Sequence, residues 1–485
     1  MPDVWRRVLK GLKWPGIAFL GVLGLACTLF AVTYSINAHD EKLAPQTLAL
    51  LTAPPNPFRA QDNIYLALEG LDAPSGKSVI AVGQARIARY NQNLEGVLRE
   101  PSPARLASLR TRDVERLEFR GDVSFLHPLD GSVWSEAAQH PAQIEKLLAD
   151  NAELYGRYLA LLGLHGYYET ARPSEYAPFP SPPTALRKLF LATIALHLRS
   201  VFAHERELAL ADLESDMRLW RAVLSAKGAL LGKMLAVAYL QSDSLLLADL
   251  IADGHVALPR DVKDGDSLAP VFDLQDWDIG SAFAAEFRTT AAALRRTDDA
   301  SAGTLADGQA REGMRGWVNR TESHLAAHFY KLNATENLIA RRMARQMLAA
   351  AGPGRATRSA PGAGTTLAED QSMWPLRFAY NPIGTALATV LAPAPAYDNY
   401  CLRAWDAAAL QRLVRAGYEI RRLRLGAAEV PAFLAGHPQW STHPIDGRPF
   451  LWDAASGELR VQTLAQHPAG RRFSIHVLAP PAAPR

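Results

Sequence analysis

A chain of 485 residues has room for two or three domains, and a composition of 48% hydrophobic and 21% charged residues excludes wholesale disorder. The formal net charge of +3 falls within the first 36 residues, where Arg6, Arg7, Lys10 and Lys13 stand against Asp3. The remaining body is neutral, so nothing in its overall charge draws it to nucleic acid, and no nucleic-acid partner is expected.

Taken in chain order, the first element is an apolar run. Residues 14–36 give 23 consecutive positions without a charge. As a helix that is roughly 34 Å, enough to cross a hydrocarbon core of about 30 Å. A cleaved signal sequence has a shorter apolar core and ends on small residues. Here the run ends "TYSINAHDEK", and a cut after Ala38 would leave bulky Ile36 at the −3 position. Cys27 in "GLAC" has Gly24 where an acylation signal wants leucine, and the apolar run continues beyond it. The run therefore reads as a retained transmembrane anchor with Cys27 as an ordinary membrane residue. Basic residues before it and mixed charge after it place residues 1–13 in the cytoplasm and export the rest. With abundant alanine and leucine, and arginine preferred to lysine, the expected address is a bacterial inner membrane with a periplasmic body.

Residues 37–62 carry four prolines and read as a stem. A mainly helical exported domain is expected over 63–351. Its clearest patterning begins after Pro141, a good first-turn residue, and resumes from Thr184 to Gly254 as antiparallel helical hairpins with a break at Gly228. Phe190, Ile194, His197, Val201 and His204 form one apolar stripe there, and Leu210, Leu213, Met217, Trp220 and Leu224 a second. The five prolines of 172–183 interrupt the helices. Residues 352–372 are a low-complexity loop or linker. The last region, 373–485, is α+β: a helix around 403–424, then "PFLWD", "ELRVQTL" and "RFSIHVL" as a small antiparallel sheet turned through "AASG". The fold class is thus mainly α, with one transmembrane helix and a C-terminal β element. Cys401 alone lies outside the apolar run, so the body has no internal disulfide, and a buried thiol is expected.

Several motifs invite a chemical reading. "GLDAPSGKS" (70–78) places five residues between Gly70 and Gly76, one more than a phosphate-binding loop has, and one of them is Pro74, which has no amide to offer. "DGD" (264–266) and "DWD" (276–278) resemble the metal-binding aspartates of glycosyltransferases, but the preceding residues read as helices rather than a nucleotide-binding α/β core. "ESHLAAHF" (322–329) sets His324 and His328 one turn apart, a spacing that can hold a metal. Leu325 stands where a zinc protease has its general base, leaving these two histidines as the metal candidates. The arginines of 415–426 read as a solvated helix face. No nucleophile motif occurs, and no motif asks for a cofactor. The expectation is a non-enzymatic interaction or assembly module of the envelope, anchored in the membrane and meeting a protein partner. The alternatives are an anchored hydrolase or transferase, or a protein binding lipid or another small apolar ligand.

Overall fold

The computed structural model describes residues 2–99, 102–109, 115–129, 132–174, 176–178, 183–253, 270–306, 325–351, 379–391, 396–465 and 472–478. It is mostly helical with one three-stranded antiparallel sheet, the architecture the periodicity predicts. In chain order the helices are α1 (Pro2–Ile36), α2 (Pro45–Leu51), α3 (Ile64–Glu69), α4 (Val79–Arg99), α5 (Pro103–Leu109), α6 (Val133–Gln139), α7 (Pro141–Asp150) and α8 (Ala152–Leu161). Then come α9 (Thr184–Leu198), α10 (Ala203–Ser225), α11 (Leu230–Asp253), α12 (Gly280–Ala306), α13 (Leu332–Ala350), α14 (Pro382–Val390), α15 (Ala396–Arg422), α16 (Val430–Gly436) and α17 (Pro438–Ser441). Strands β1 (Leu451–Asp453), β2 (Glu458–Gln462) and β3 (Arg472–His476) close the chain. Two compact units emerge. The first gathers Met1–Thr52, Thr290–Met343 and Ala360–Ala392, and the second Ala53–Thr289, Ala344–Ser359 and Pro393–Arg485.

In the first unit, the Phe19–Ile36 stretch of α1 has a mean hydropathy of 2.0 and none of it is buried against protein. Its end is a different matter. Asn37 is fully buried; its Nδ2 donates to the carbonyls of Thr33 (2.8 Å) and Ala379 (2.7 Å), and its Oδ1 accepts from the Asn381 amide (2.8 Å). Asn381 adopts a left-handed conformation (φ 55°), which asparagine tolerates better than most residues. From there its Oδ1 accepts from the amides of Lys331 (2.9 Å) and Gly384 (3.1 Å), capping α14. Asp40 accepts from the Asn333 and Ala334 amides at 2.7 and 3.2 Å, satisfying donors that the first turn of α13 leaves orphaned. Asn337 accepts from the Ala44 amide and the buried Thr47 hydroxyl at 2.9 and 2.7 Å. Residues 37–51 are thus ordered by side-chain hydrogen bonds inside the first unit, where the sequence suggests a stem.

The second unit is built on α9, α10 and α11, joined by short loops at 199–202 and 226–229, with α10 packed on both neighbours and α15 against α11. Helix α9 buries Leu186, Leu189, Phe190, Leu191, Ile194 and Leu198, residues on every side of the helix, because α6, α7, α8 and α10 surround it. Helix α11 is long and apolar enough to cross a membrane, yet 67% of it is buried within the protein, as befits a core helix. The apolar stripe drawn through Val201 and His204 is corrected here. Helix α9 stops at Leu198, so Val201 lies in the following loop at 85% exposure and His204 is exposed in the first turn of α10. The arginine face of 415–426 is also corrected. Arg415 is buried and paired with Glu419 at 2.8 Å, Arg422 pairs with the same carboxylate at 2.7 Å, and Arg421 donates to the Ala252 carbonyl at 2.5 Å. The sheet follows the expected alternation: Phe473, Ile475 and Val477 are buried, with Ile475 paired to Leu459 and Phe473 to Val461.

Replacing Asn37 with alanine should cost about 1–3 kcal/mol, because the Asn381 amide and the Ala379 carbonyl lose a buried partner. The check is hydrogen exchange in α13 and α14. Their amides should lose protection while those of α9–α11 keep theirs.

Candidate functional site

The site is set from beneath by an ion cluster in the core of the second unit. Arg187 of α9, Asp216 of α10 and Asp243 of α11 are 2%, 0% and 0% exposed, numbers that matter because charges this dry survive only when paired. The Arg187 guanidinium donates to Asp216 Oδ2 (2.7 Å), to Asp243 Oδ1, to Ser242 Oγ (2.6 Å) and to the Tyr239 carbonyl (3.0 Å), and lies 4.3 Å from the centre of the Tyr239 ring. Asp216 Oδ1 accepts from the Tyr158 hydroxyl at 2.5 Å and from the Trp220 indole at 3.1 Å. Burial alone would depress the arginine's pKa; the two carboxylates outweigh it and keep the guanidinium charged. One cation faces two carboxyls, and Asp216 has the fuller set of donors. Asp243 is the acid, its pKa pushed well above the usual range by burial, while Arg187 pulls it down and Asp216 raises it further. A cavity of about 210 Å³ reaches this cluster along Thr184, Lys188 and Ser242. It is smaller than the pockets that take organic ligands.

With Met217 and Trp220 turned inward, helical geometry turns Ser215, Arg218, Ala222 and Ser225 outward along the other side of α10, and half-buried Asp212, one turn before Asp216, lines the groove beside them. That row forms one wall of a groove of about 1110 Å³. The rest of the lining is the end of α8 and the turn after it, with Leu159, Leu162, Leu164, His165, Tyr167 and Tyr168, and the extended segment of Pro54, Pro55, Pro57 and Phe58. These two stretches are pinned together by main-chain bonds, Ile64 amide to Gly166 carbonyl at 2.7 Å and Gly166 amide to Asp62 carbonyl at 3.2 Å. The Tyr168 hydroxyl adds a bond to the Pro54 carbonyl at 2.8 Å. Glycine at 166 leaves room for the Phe58 ring, which a Cβ there would meet at 2.5 Å.

The charges along the groove are not all spoken for. Arg221 is held by Asp276 at 2.8 Å and lies over the Phe272 ring. Arg218 donates to Ser215 Oγ at 2.8 Å, and neither it nor exposed Lys227 has a carboxylate partner among the described residues. Asp212 accepts no hydrogen bond among the described residues. Burial raises its pKa, and nearby His197 pulls the other way.

The residues singled out in the sequence lie elsewhere. His324 falls outside the described residues, as do the "DGD" triplet and the 352–372 segment. His328 belongs to the first unit, where its Nε2 donates to the Tyr34 carbonyl at 2.8 Å and its ring stacks on Tyr34 at 3.6 Å. Among the described residues no three histidine, cysteine or acidic side chains are grouped as metal ligands. "DWD" closes a turn before α12: Asp276 pairs with Arg221, Trp277 is buried, and Asp278 accepts from the Gly280 amide at 2.8 Å. "GLDAPSGKS" connects α3 to α4, with Gly70 packed so close to the Val79 carbonyl that a Cβ would sit 1.9 Å from it. Cys401 is a buried free thiol, its pKa pushed up by burial to about 12. The groove residues carry no spacing that sequence reading could have joined, since Pro54 and Lys227 meet only through the fold.

The buried cluster fixes two expectations. An acid with a raised folded-state pKa stabilises the fold fully below its unfolded value near 4, and that contribution is lost as pH rises through the folded value. Amides of α9–α11 should therefore exchange faster, after correction for intrinsic rate, as pH climbs from about 4 toward 7. Asp243→Asn should flatten that slope in part, since burial also raises Glu169, Asp249 and Glu286. Arg187→Met should cost about 3–5 kcal/mol by stranding a buried carboxylate, read from the slowest-exchanging amides of the same helices. Compared with known proteins, the chain matches no family model, no curated protein and no solved structure.

Proposed function

We propose that this chain is a single-pass protein of the bacterial inner membrane whose periplasmic body is a binding module that docks another envelope protein. The groove beside α10 carries the binding reading: it is large enough for a ligand, it has an apolar stretch, and it has two cations, Arg218 and Lys227, that no carboxylate among the described residues neutralises. Among the described residues its polar groups form no hydrogen-bonded nucleophile and base, which favours recognition over reaction. The anchor is supported by the Phe19–Ile36 stretch, apolar and without a buried residue, and by Asn37, which is built into the first unit immediately after it. A segment due for removal by a peptidase has no reason to end in a buried hydrogen-bond hub. The basic residues that precede it orient the chain with its N-terminus in the cytoplasm.

The test is made on the full chain in its native membrane. It should resist alkaline carbonate extraction, and external protease should digest the body in spheroplasts with intact inner membranes. A photo-crosslinking amino acid at Leu164 or Ala222 should trap a protein neighbour that one at exposed Leu208 does not. Release by carbonate, protection from external protease, or identical crosslinks from all three positions would each count against the reading.

A further inference from the structure

Resting on that binding reading, we propose that the groove holds an extended, acidic peptide segment of about six residues, contributed by the partner protein. The stretch of α10 that lines the groove, from Asp212 to Ser225, runs about 20 Å at roughly 1.5 Å per residue. Dividing the cavity of about 1110 Å³ by that length leaves a cross-section of about 55 Å². A polypeptide in extended form fills roughly 5 by 10 Å, and at about 3.3 Å per residue six residues cover the length.

The lining decides between a peptide and an acyl chain. Asp212, Ser215, Arg218 and Ser225 all present polar atoms to the groove. The Ser215 and Ser225 hydroxyls are satisfied by carbonyls of their own helix, but a hydrocarbon laid over Asp212 and Arg218 would take away their water and give nothing back, at about 1–3 kcal/mol for each group left unpaired. A peptide backbone brings a donor and an acceptor at every residue to answer them. Elsewhere in the lining, Pro54, Pro55 and Pro57 carry no amide hydrogens, so that stretch favours apolar side chains, which alternate with polar ones along an extended chain.

Charge sets both the class and the direction. Arg221 is already neutralised by Asp276. Among the described residues Arg218 and Lys227 have no carboxylate partner; Arg218 stands midway along the row and Lys227 just beyond the C-terminal end of α10. Asp212, toward the other end, would repel a carboxylate and accept from an amide. The occupant therefore has its aspartates or glutamates gathered at one end, spaced by apolar residues.

The experiment displays a random hexapeptide library to the full chain in phosphatidylcholine nanodiscs. Enriched sequences should carry at least two acidic residues, clustered toward one end. Their affinity should fall at least about tenfold in the R218E/K227E double variant and survive in R218K/K227R. It should also weaken as salt rises, because the cations are exposed. Both substituted positions are at the surface, so circular dichroism of the variants should match the parent. Enrichment of basic or uncharged sequences, affinity indifferent to R218E/K227E, or no enrichment would overturn the inference. Uncharged peptides that crosslink at Leu164 would leave the binding module standing with a different occupant. No enrichment together with silent groove crosslinkers in native membranes would remove both.

Discussion

One arginine between two carboxyls governs the second unit. Arg187, Asp216 and Asp243 come from three successive helices, and all three are buried. Such a cluster gains little net energy over apolar packing, but removing one member is very unfavourable. Its effect is to fix rotation and register. Helix α10 cannot turn about its axis without pulling Asp216 away from Tyr158, Trp220 and Arg187 together. The outward row of that helix, and with it the wall of the groove, inherits its orientation from this buried contact.

The groove is assembled from parts that have no concavity alone. The proline segment supplies an apolar edge, the turn after α8 supplies aromatic rings, and α10 supplies charge. A glycine lets Phe58 close against the turn. Together they offer a shape with one apolar stretch and one electrically uneven stretch, and that asymmetry is the basis of the proposed peptide recognition.

Much of the fold was readable in the sequence, for a plain reason. Helix starts such as Pro141, the break at Gly228 and the alternation of Phe473, Ile475 and Val477 are local signals, and local signals need no knowledge of the fold. The failures share the opposite cause. Arg415 and Arg421 looked solvated because their partners, the Glu419 carboxylate in one case and the Ala252 carbonyl in the other, are chosen by packing. Val201 continued an apolar stripe on paper, but the helix ended three residues before it. Arg187 drew no notice at all, since its carboxylates lie 29 and 56 residues away along the chain. The groove is the extreme case, because concavity has no linear signature.

The hydrogen bonds around Asn37 carry a consequence for the order of assembly. Asn37 is held by the Ala379 carbonyl, 342 residues further along the chain. At synthesis rates of about 5–20 residues per second, that partner emerges roughly 17–70 s after Asn37. During that interval the apolar helix would already occupy its place, while the polar residues just beyond it wait with their bonding capacity open. The first unit is therefore completed late in translation, and the second unit's three-helix core, drawn from residues 184–253, exists in full before the first can close.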